Sequence, residues 1–236
     1  MSKIIIISDI HGNFDSLKTL DSENYDFLVF AGDAVDYGPE PEKVVDFLIK
    51  NAYKSVMGNH DAANAFDIDC KCSEKYHEIS VITRKYFKKN LNKRHLNFLG
   101  LLPMFNNFEI DGIKFTMVHA SLMDYLYDYV LPETDDKTLL YKFKNTESDF
   151  VIFGHTHLPM IKKINKTTFI NPGSLGQPRD GDIRASFAIL DTKTGEVKII
   201  RKEYDVKETI RKINEQGLEN NIKDSLSKIL LTGGKF

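Results

Sequence analysis

The sequence predicts an α/β layered protein with mixed strand pairing, and three observations carry that expectation. Short runs of β-branched and aromatic residues, bounded by Gly, Asp or Asn, recur along the chain. Several of these runs are apolar throughout, as expected of strands covered on both faces, and helical patterns lie between them. Late in the chain, Asp191-Thr-Lys-Thr-Gly195 separates two strand-like runs in the manner of a hairpin loop, which adds antiparallel pairing.

In chain order, the first strand is Lys3–Ser8, and its core is the run Ile4 to Ile7. Asp26–Phe30 and Tyr53–Met57 follow, with helical patterns over Phe14–Leu20 and Pro41–Asn51 leading into them. A longer helical pattern covers roughly Ser73–Leu101, inside a segment of about 62–102 that reads as a helical insertion. Ile113–Val118, Asp149–Phe153 and Thr167–Ile170 are further strands, and Ala185–Leu190 with Glu196–Ile200 form the hairpin. Beyond Tyr204, Val206, Ile210 and Ile213, then Leu218, Ile222, Leu226, Ile229 and Leu230, fall at helical spacing on either side of Gly217. Two helices over about 205–231 are therefore expected to pack on the domain, in preference to binding a partner. Without repeats, low-complexity stretches or linkers, residues 1–236 read as one domain.

Composition excludes several classes of function. With 32 basic and 34 acidic side chains in 236 residues, the formal charge is −2, which offers no basic footprint for sequence-general nucleic-acid binding. A mean hydropathy of −0.32 and an N-terminal apolar run far short of the ~20 residues of a membrane span argue against a membrane protein, so a cytoplasmic location is expected. Two cysteines make no disulfide framework and suit a reducing compartment. The oligomeric state is not written in the sequence.

The chemistry lies where strands end. The first strand leads into Ser8-Asp9-Ile10-His11-Gly12, where positions i and i+2 can share one face and present a carboxylate and an imidazole to one ion. Taken alone, Asp9 reads equally as a helix N-cap and His11 as a loop residue. The second strand runs into Gly32-Asp33-Ala34-Val35-Asp36, the third into Gly58-Asn59-His60-Asp61, the fourth into His119 and the fifth into Gly154-His155-Thr156-His157. Open α/β sheets bind ligands at this end of their strands. The donors Asp9, His11, Asp33, Asn59, His119, His155 and His157 are an all-nitrogen and oxygen set, sized for two divalent ions if one carboxylate bridges them. Such ligands suit Mn, Fe, Zn or Ni. Cys70 and Cys72 stand apart from this set and read as reduced thiols.

The order D-x-H, G-D-x-x-D, G-N-H-D, a single His after a strand and G-H-x-H resembles the calcineurin-like metallophosphoesterases over residues 1 to about 180. That resemblance implies a four-layer αββα sandwich of two mixed β-sheets flanked by helices. It implies one metal on Asp9, His11 and His157, a second on Asn59, His119 and His155, and Asp33 bridging the two, with no ligand missing. It further implies His60 as general acid, oriented by Asp36, with hydroxide made at the metal pair attacking phosphorus in line. A turn-forming carboxylate is the competing reading of Asp36.

Departures from the family narrow the substrate. Protein Ser/Thr phosphatases carry a phosphate-gripping Arg after the G-D-x-V-D motif, and Tyr37 stands there in this chain. Asn171-Pro172-Gly173-Ser174, after the double-His motif, matches the small bacterial and archaeal phosphodiesterase-like branch instead. The expected activity is hydrolysis of a small-molecule phosphate ester, with a diester preferred. The rivals are a protein or nucleotide phosphatase and, from another class, a non-catalytic scaffold. Arg179 is a candidate for contacting substrate phosphate, against a local pairing with Asp180 or Asp182. His77 and His95 match no motif, and Tyr76, Phe87 and Phe98 read as core residues of the insertion. The basic stretch Arg84–Arg94 reads as a solvated helix face.

Overall fold

All four isoleucines of strand β1 (Lys3–Ile7) are fully buried because alternate side chains enter two different cores. In the computed structural model, which describes residues 1–144 and 146–235, Ile4 and Ile6 lie between two sheets while Ile5 and Ile7 lie under helices. The first sheet has the order β10-β9-β1-β2-β3, with β2 at Phe27–Phe30, β3 at Lys54–Ser55, β9 at Ala185–Asp191 and β10 at Glu196–Lys202. β1, β2 and β3 run parallel, and β9 and β10 join antiparallel. The second sheet comprises β4 (Phe105–Ile110), β5 (Ile113–Val118), β6 (Phe150–Ile152), β7 (Met160–Ile164) and β8 (Thr167–Asn171), in the order β4-β5-β6-β8-β7. Its centre, β5-β6-β8, is parallel and both edges are antiparallel, so both sheets are mixed.

Helices cover both outer faces. Helix α1 (Phe14–Leu17), α2 (Pro41–Asn51) and α5 (Lys93–Leu101) share a core with Ile5, Ile7, Leu28 and Phe30 of the first sheet. Leu139 of α6 (Asp136–Lys142) and the neighbouring Phe143 cover Val151, Phe153 and Phe169 of the second. The result is the expected αββα sandwich. A fourth apolar cluster joins α4 (Glu74–Phe87) to α7 (Val206–Asn214) and α8 (Asn220–Thr232) through Tyr76, Phe87, Ile213, Ile222, Leu226 and Ile229. The C-terminal stripe thus packs on the chain's own insertion.

Several local readings change. The single helical pattern near Ser73–Leu101 divides, because Lys88–Asn90 tighten into a 3-10 turn and Asn92 restarts the chain by capping α5 through the backbone N–H of His95. Edge strands β4 and β7 carry no continuous apolar run, since only one face of each is covered, and they lack the sequence pattern of the central strands. Short helices α3 (Asn59–Phe66) and α6 are likewise set by packing. No helix among the described residues is long and apolar enough to cross a membrane.

Ile6, with no exposed surface in the inter-sheet core, tests that packing. Ile6→Ala is expected to lower unfolding stability by about 2–5 kcal/mol, read as a lower urea midpoint at unchanged slope.

Candidate metal centre

The chain leaves its strands through sharp bends. Asp9 (φ 53°), His11 (φ 50°), Asp33 (φ 65°), Asp36 (φ 69°), Tyr37 (φ 61°), His155 (φ 67°) and His157 (φ 61°) all take left-handed backbone angles. Asp and His tolerate this region better than most residues, yet each such position costs about 1–3 kcal/mol and must be held by its surroundings. Backbone bonds between the strand ends supply that hold: Asp9 N–H donates to Gly32 O at 2.9 Å, Ile10 N–H to Asp33 O at 2.8 Å and Gly154 N–H to His119 O at 2.8 Å. Close approach also dictates two glycines. A Cβ at Gly58 would lie 2.1 Å from Asp33 Oδ1, and one at Gly32, itself at φ +98°, would lie 2.6 Å from His119 Nδ1.

Asp9 with His11 and His157, and Asp33 with His119 and His155, are each drawn together within 4.8 Å as buried donor groups, and Asp33 also groups with His11 and His60 within the same distance. His11 Nε2 is 3.1 Å from His157 Nε2 and 3.8 Å from Asp33 Oδ2. On the other side, His119 Nε2 is 3.3 Å from Asp33 Oδ2 and 3.1 Å from Asn59 Oδ1, which also lies 3.2 Å from His155 Nδ1. Asp33 therefore stands between the groups, and Asn59 joins the second.

The donor chemistry fits a pair of cations. His11, His119 and His157 each place Nδ1 within 2.9 Å of a backbone carbonyl, of Val35, Ala31 and Gln177 respectively. Donation of Nδ1–H there turns the Nε2 lone pairs inward, toward one another and toward carboxylate and amide oxygens. Lone pairs facing lone pairs repel unless positive charge sits among them. Two buried atoms, Asp9 Oδ1 and His155 Nε2, make no hydrogen bond at all. Burial, reinforced by the charge of Asp33, pushes Asp9 up to about 7. Burial also depresses His11, His155 and His157 well below the usual imidazole range, leaving them neutral as ligands must be. His119 moves the other way: burial disfavours its charge, but Asp33 and Asp9 outweigh that and raise it to about 9.

Beside the donors, His60 Nδ1 is 2.7 Å from Asp36 Oδ2, both groups being buried. Asn64 Nδ2 donates to Asp36 Oδ1 at 2.7 Å, Ser80 Oγ to Asp36 Oδ2 at 3.3 Å, and Arg84 Nη1 lies 3.7 Å from Asp36 Oδ2. Asp36 is thus hydrogen-bonded to His60. Burial opposes the charge on His60, but Asp33 and the hydrogen bond and charge of Asp36 raise it to about 9.

Three groups here escape a reading of the sequence. Asp61, seen there only as a motif letter, accepts the backbone N–H of Asp33 (2.8 Å), Ala34 (2.8 Å) and Gly58 (3.0 Å), and so fixes the loop carrying Asp33. Ser80 and Arg84 come from the insertion, and Arg84 departs from the solvated face expected of Arg84–Arg94 because it turns inward to Asp36. Elsewhere in that stretch Lys88 pairs with Asp67 and Arg94 with Asp46.

Arg179 does not pair with its sequence neighbours. Asp180 is taken by Arg201 and Asp182 by Arg184, while the Arg179 guanidinium stacks 3.8 Å from the Tyr76 ring centre and donates to Gln177 Oε1 at 2.7 Å. Tyr37 is buried against His11 and His60, at ring separations of 4.9 and 5.2 Å. In the Asn171–Ser174 loop, Asn171 Nδ2 donates to Gly154 O at 2.8 Å and Ser174 Oγ to Asp9 O at 2.6 Å, so the loop braces two ligand-bearing turns. His77 is half-buried beside Asp69, and His95 is buried at the start of α5 near Asp46. Tyr76 and Phe87 are core residues as expected, Tyr76 serving Arg179 as well.

A family model described as the calcineurin-like phosphoesterase superfamily domain matches residues 2–195. An uncharacterized protein of Methanocaldococcus jannaschii is 32% identical over 252 aligned residues, covering 98% of each chain. The crystal structure of a metallophosphoesterase from Sphaerobacter thermophilus superposes with a TM-score of 0.82 at 29% identity, covering 98% of this chain and 99% of that one. A phosphodiesterase of Escherichia coli, YfcE, is 23% identical over 206 residues, 81% of this chain and 88% of its own.

Proposed function

Because the chain belongs to the calcineurin-like phosphoesterase superfamily, we propose that it is a dinuclear phosphodiesterase acting on a small-molecule phosphate ester, with His60 as its proton donor. The observation that carries this reading is the convergence of buried nitrogen and oxygen donors on two places that share Asp33, beside the His60–Asp36 pair. Asp9, His11 and His157 would hold one divalent cation, Asn59, His119 and His155 the other, and Asp33 both. When bound, such a pair supplies Lewis acidity for a phosphoryl group and acidifies water near neutral pH; Mn²⁺ is the cation to try first, with Fe, Zn and Ni as the other fits.

The chain's own residues complete the chemistry. Asp36 takes the Nδ1–H of His60 and holds the ring in one orientation, which leaves Nε2–H as the proton delivered to the departing oxygen. Arg179 is the phosphate contact: its guanidinium is already fixed by Gln177 and Tyr76, and the Gln177 carbonyl also orients His157. Tyr37 supplies no charged clamp, so a dianionic monoester is gripped less well than a singly charged diester. The relative YfcE, a phosphodiesterase, points the same way. Free thiols at Cys70 and Cys72 suit a reducing, cytoplasmic setting.

Turnover by the Mn²⁺-loaded protein of bis-p-nitrophenyl phosphate, set against p-nitrophenyl phosphate, tests the reading. A higher kcat/KM for the diester is expected, and a monoester preference would overturn it. Arg179→Ala is expected to raise KM about tenfold or more with a smaller change in kcat, as loss of a charged hydrogen bond to bound phosphate would do.

A further inference from the structure

We propose that Cys70, Cys72 and a ring nitrogen of His60 form a third metal site, one that takes a single thiophilic cation such as Zn²⁺ or Cd²⁺ and inhibits the enzyme. The three side chains belong to one cluster whose donor atoms all lie within 4.8 Å of one another. Their neighbourhood is built. Lys71 takes a left-handed backbone angle (φ 47°) that folds Cys70 and Cys72 onto the same side, with their sulfurs 3.2 Å apart. Asn59 Nδ2 donates to the Cys70 carbonyl at 2.7 Å and ties this turn to the start of α3, where His60 follows. Ser80 Oγ bridges the two halves, 3.3 Å from Cys70 Sγ and 3.4 Å from His60 Nδ1.

Donor softness separates this site from the pair beside it. Nitrogen and oxygen donors serve Mn²⁺ and similar ions, whereas two thiolates and an imidazole select Zn²⁺, Cd²⁺ or Cu⁺. A tetrahedral Zn²⁺ with Zn–S near 2.3 Å sets its sulfurs about 3.8 Å apart. The present 3.2 Å must therefore open by about half an ångström, a movement assigned to Cys72, which is half-buried, and not to Cys70, which is fully enclosed. Three protein ligands leave a fourth position for water or a substrate oxygen. On binding, each thiol releases its proton, and His60 exchanges the proton of one ring nitrogen for the cation. The imidazolium that Asp36 orients is then gone, so a thiophilic cation stops turnover without displacing either ion of the nitrogen and oxygen centre.

The inhibitory consequence rests on the proposed function, but the binding itself does not. Reduced protein loaded with two equivalents of Mn²⁺ and then titrated with Cd²⁺ should develop the ultraviolet thiolate-to-cadmium charge-transfer band, saturating at one equivalent. Cys70→Ser/Cys72→Ser should lose the band while retaining two Mn²⁺ and basal turnover, and its half-inhibiting Zn²⁺ concentration should rise about tenfold or more. His60→Ala should keep the band but bind Cd²⁺ about tenfold or more weakly. Cd²⁺ uptake without the band, or unchanged affinity in His60→Ala, would overturn the site. A normal band in a protein that hydrolyses no phosphate ester would overturn the preceding function and leave the site standing.

Discussion

Asp33→Asn is expected to cut bound Mn²⁺ from two per chain to one or none, and turnover by about 10³-fold or more. Asp33 is the carboxylate placed between both donor groups, with Oδ2 3.3 Å from His119 Nε2 and 3.8 Å from His11 Nε2. Burial opposes its ionisation, but His119 and His60 hold it well below the usual carboxylate range, so the full negative charge is present to attract cations. Asparagine keeps the shape and removes that charge, and the several kcal/mol of transition-state stabilisation that two cations supply is lost with them. Asp33 Oδ1 also accepts the backbone N–H of His60 at 2.9 Å, a bond the amide oxygen of asparagine can still make, so the fold should survive. Metal analysis of the dialysed variant, with circular dichroism to show that it folds, checks the prediction; two retained Mn²⁺ per chain would refute the shared role.

His60→Ala is expected to lower kcat by about 10²–10⁴-fold with bound metal unchanged, the range for loss of a positioned general acid. The two substitutions thus differ in kind, one emptying the centre and the other leaving it loaded but slow. Because Asp33 and Asp36 raise His60 to about 9, its proton is present at neutral pH, and activity should fall as pH rises through the alkaline range. Asp36→Asn removes one of those charges and the acceptor at 2.7 Å, so the alkaline limb should move to lower pH. Unchanged turnover in His60→Ala would eliminate it as proton donor. An alkaline limb that does not move in Asp36→Asn would detach Asp36 from that proton.

Much of the centre is legible in one dimension because its donors follow apolar strand runs directly. Asp9 and His11 follow β1, Asp33 follows β2, His119 follows β5, and His155 and His157 follow β6. The same strands are recognisable since their side chains are buried on both faces, which demands an unbroken apolar run in β1 and β6. Edge strands β4 and β7, covered on one face, leave weaker traces, and the break between α4 and α5 is set by a cap at Asn92.

By itself the sequence determined the inventory: which donors exist, that they are nitrogen and oxygen, that a His follows Asn59, and that Tyr37 follows Asp36. These are properties of residue type and local order. Only the tertiary structure decided which donors meet, that Asp61 braces the Asp33 loop through three backbone N–H groups, and that Arg84 turns inward to Asp36. It alone brings the thiols of Cys70 and Cys72 to His60. The reason is that these contacts join different elements across the sheets and the insertion, and no pattern of hydrophobic periodicity records a distance between elements. The left-handed turns at Asp9, His11 and Asp33 belong with them, since backbone hydrogen bonds between strand ends hold them.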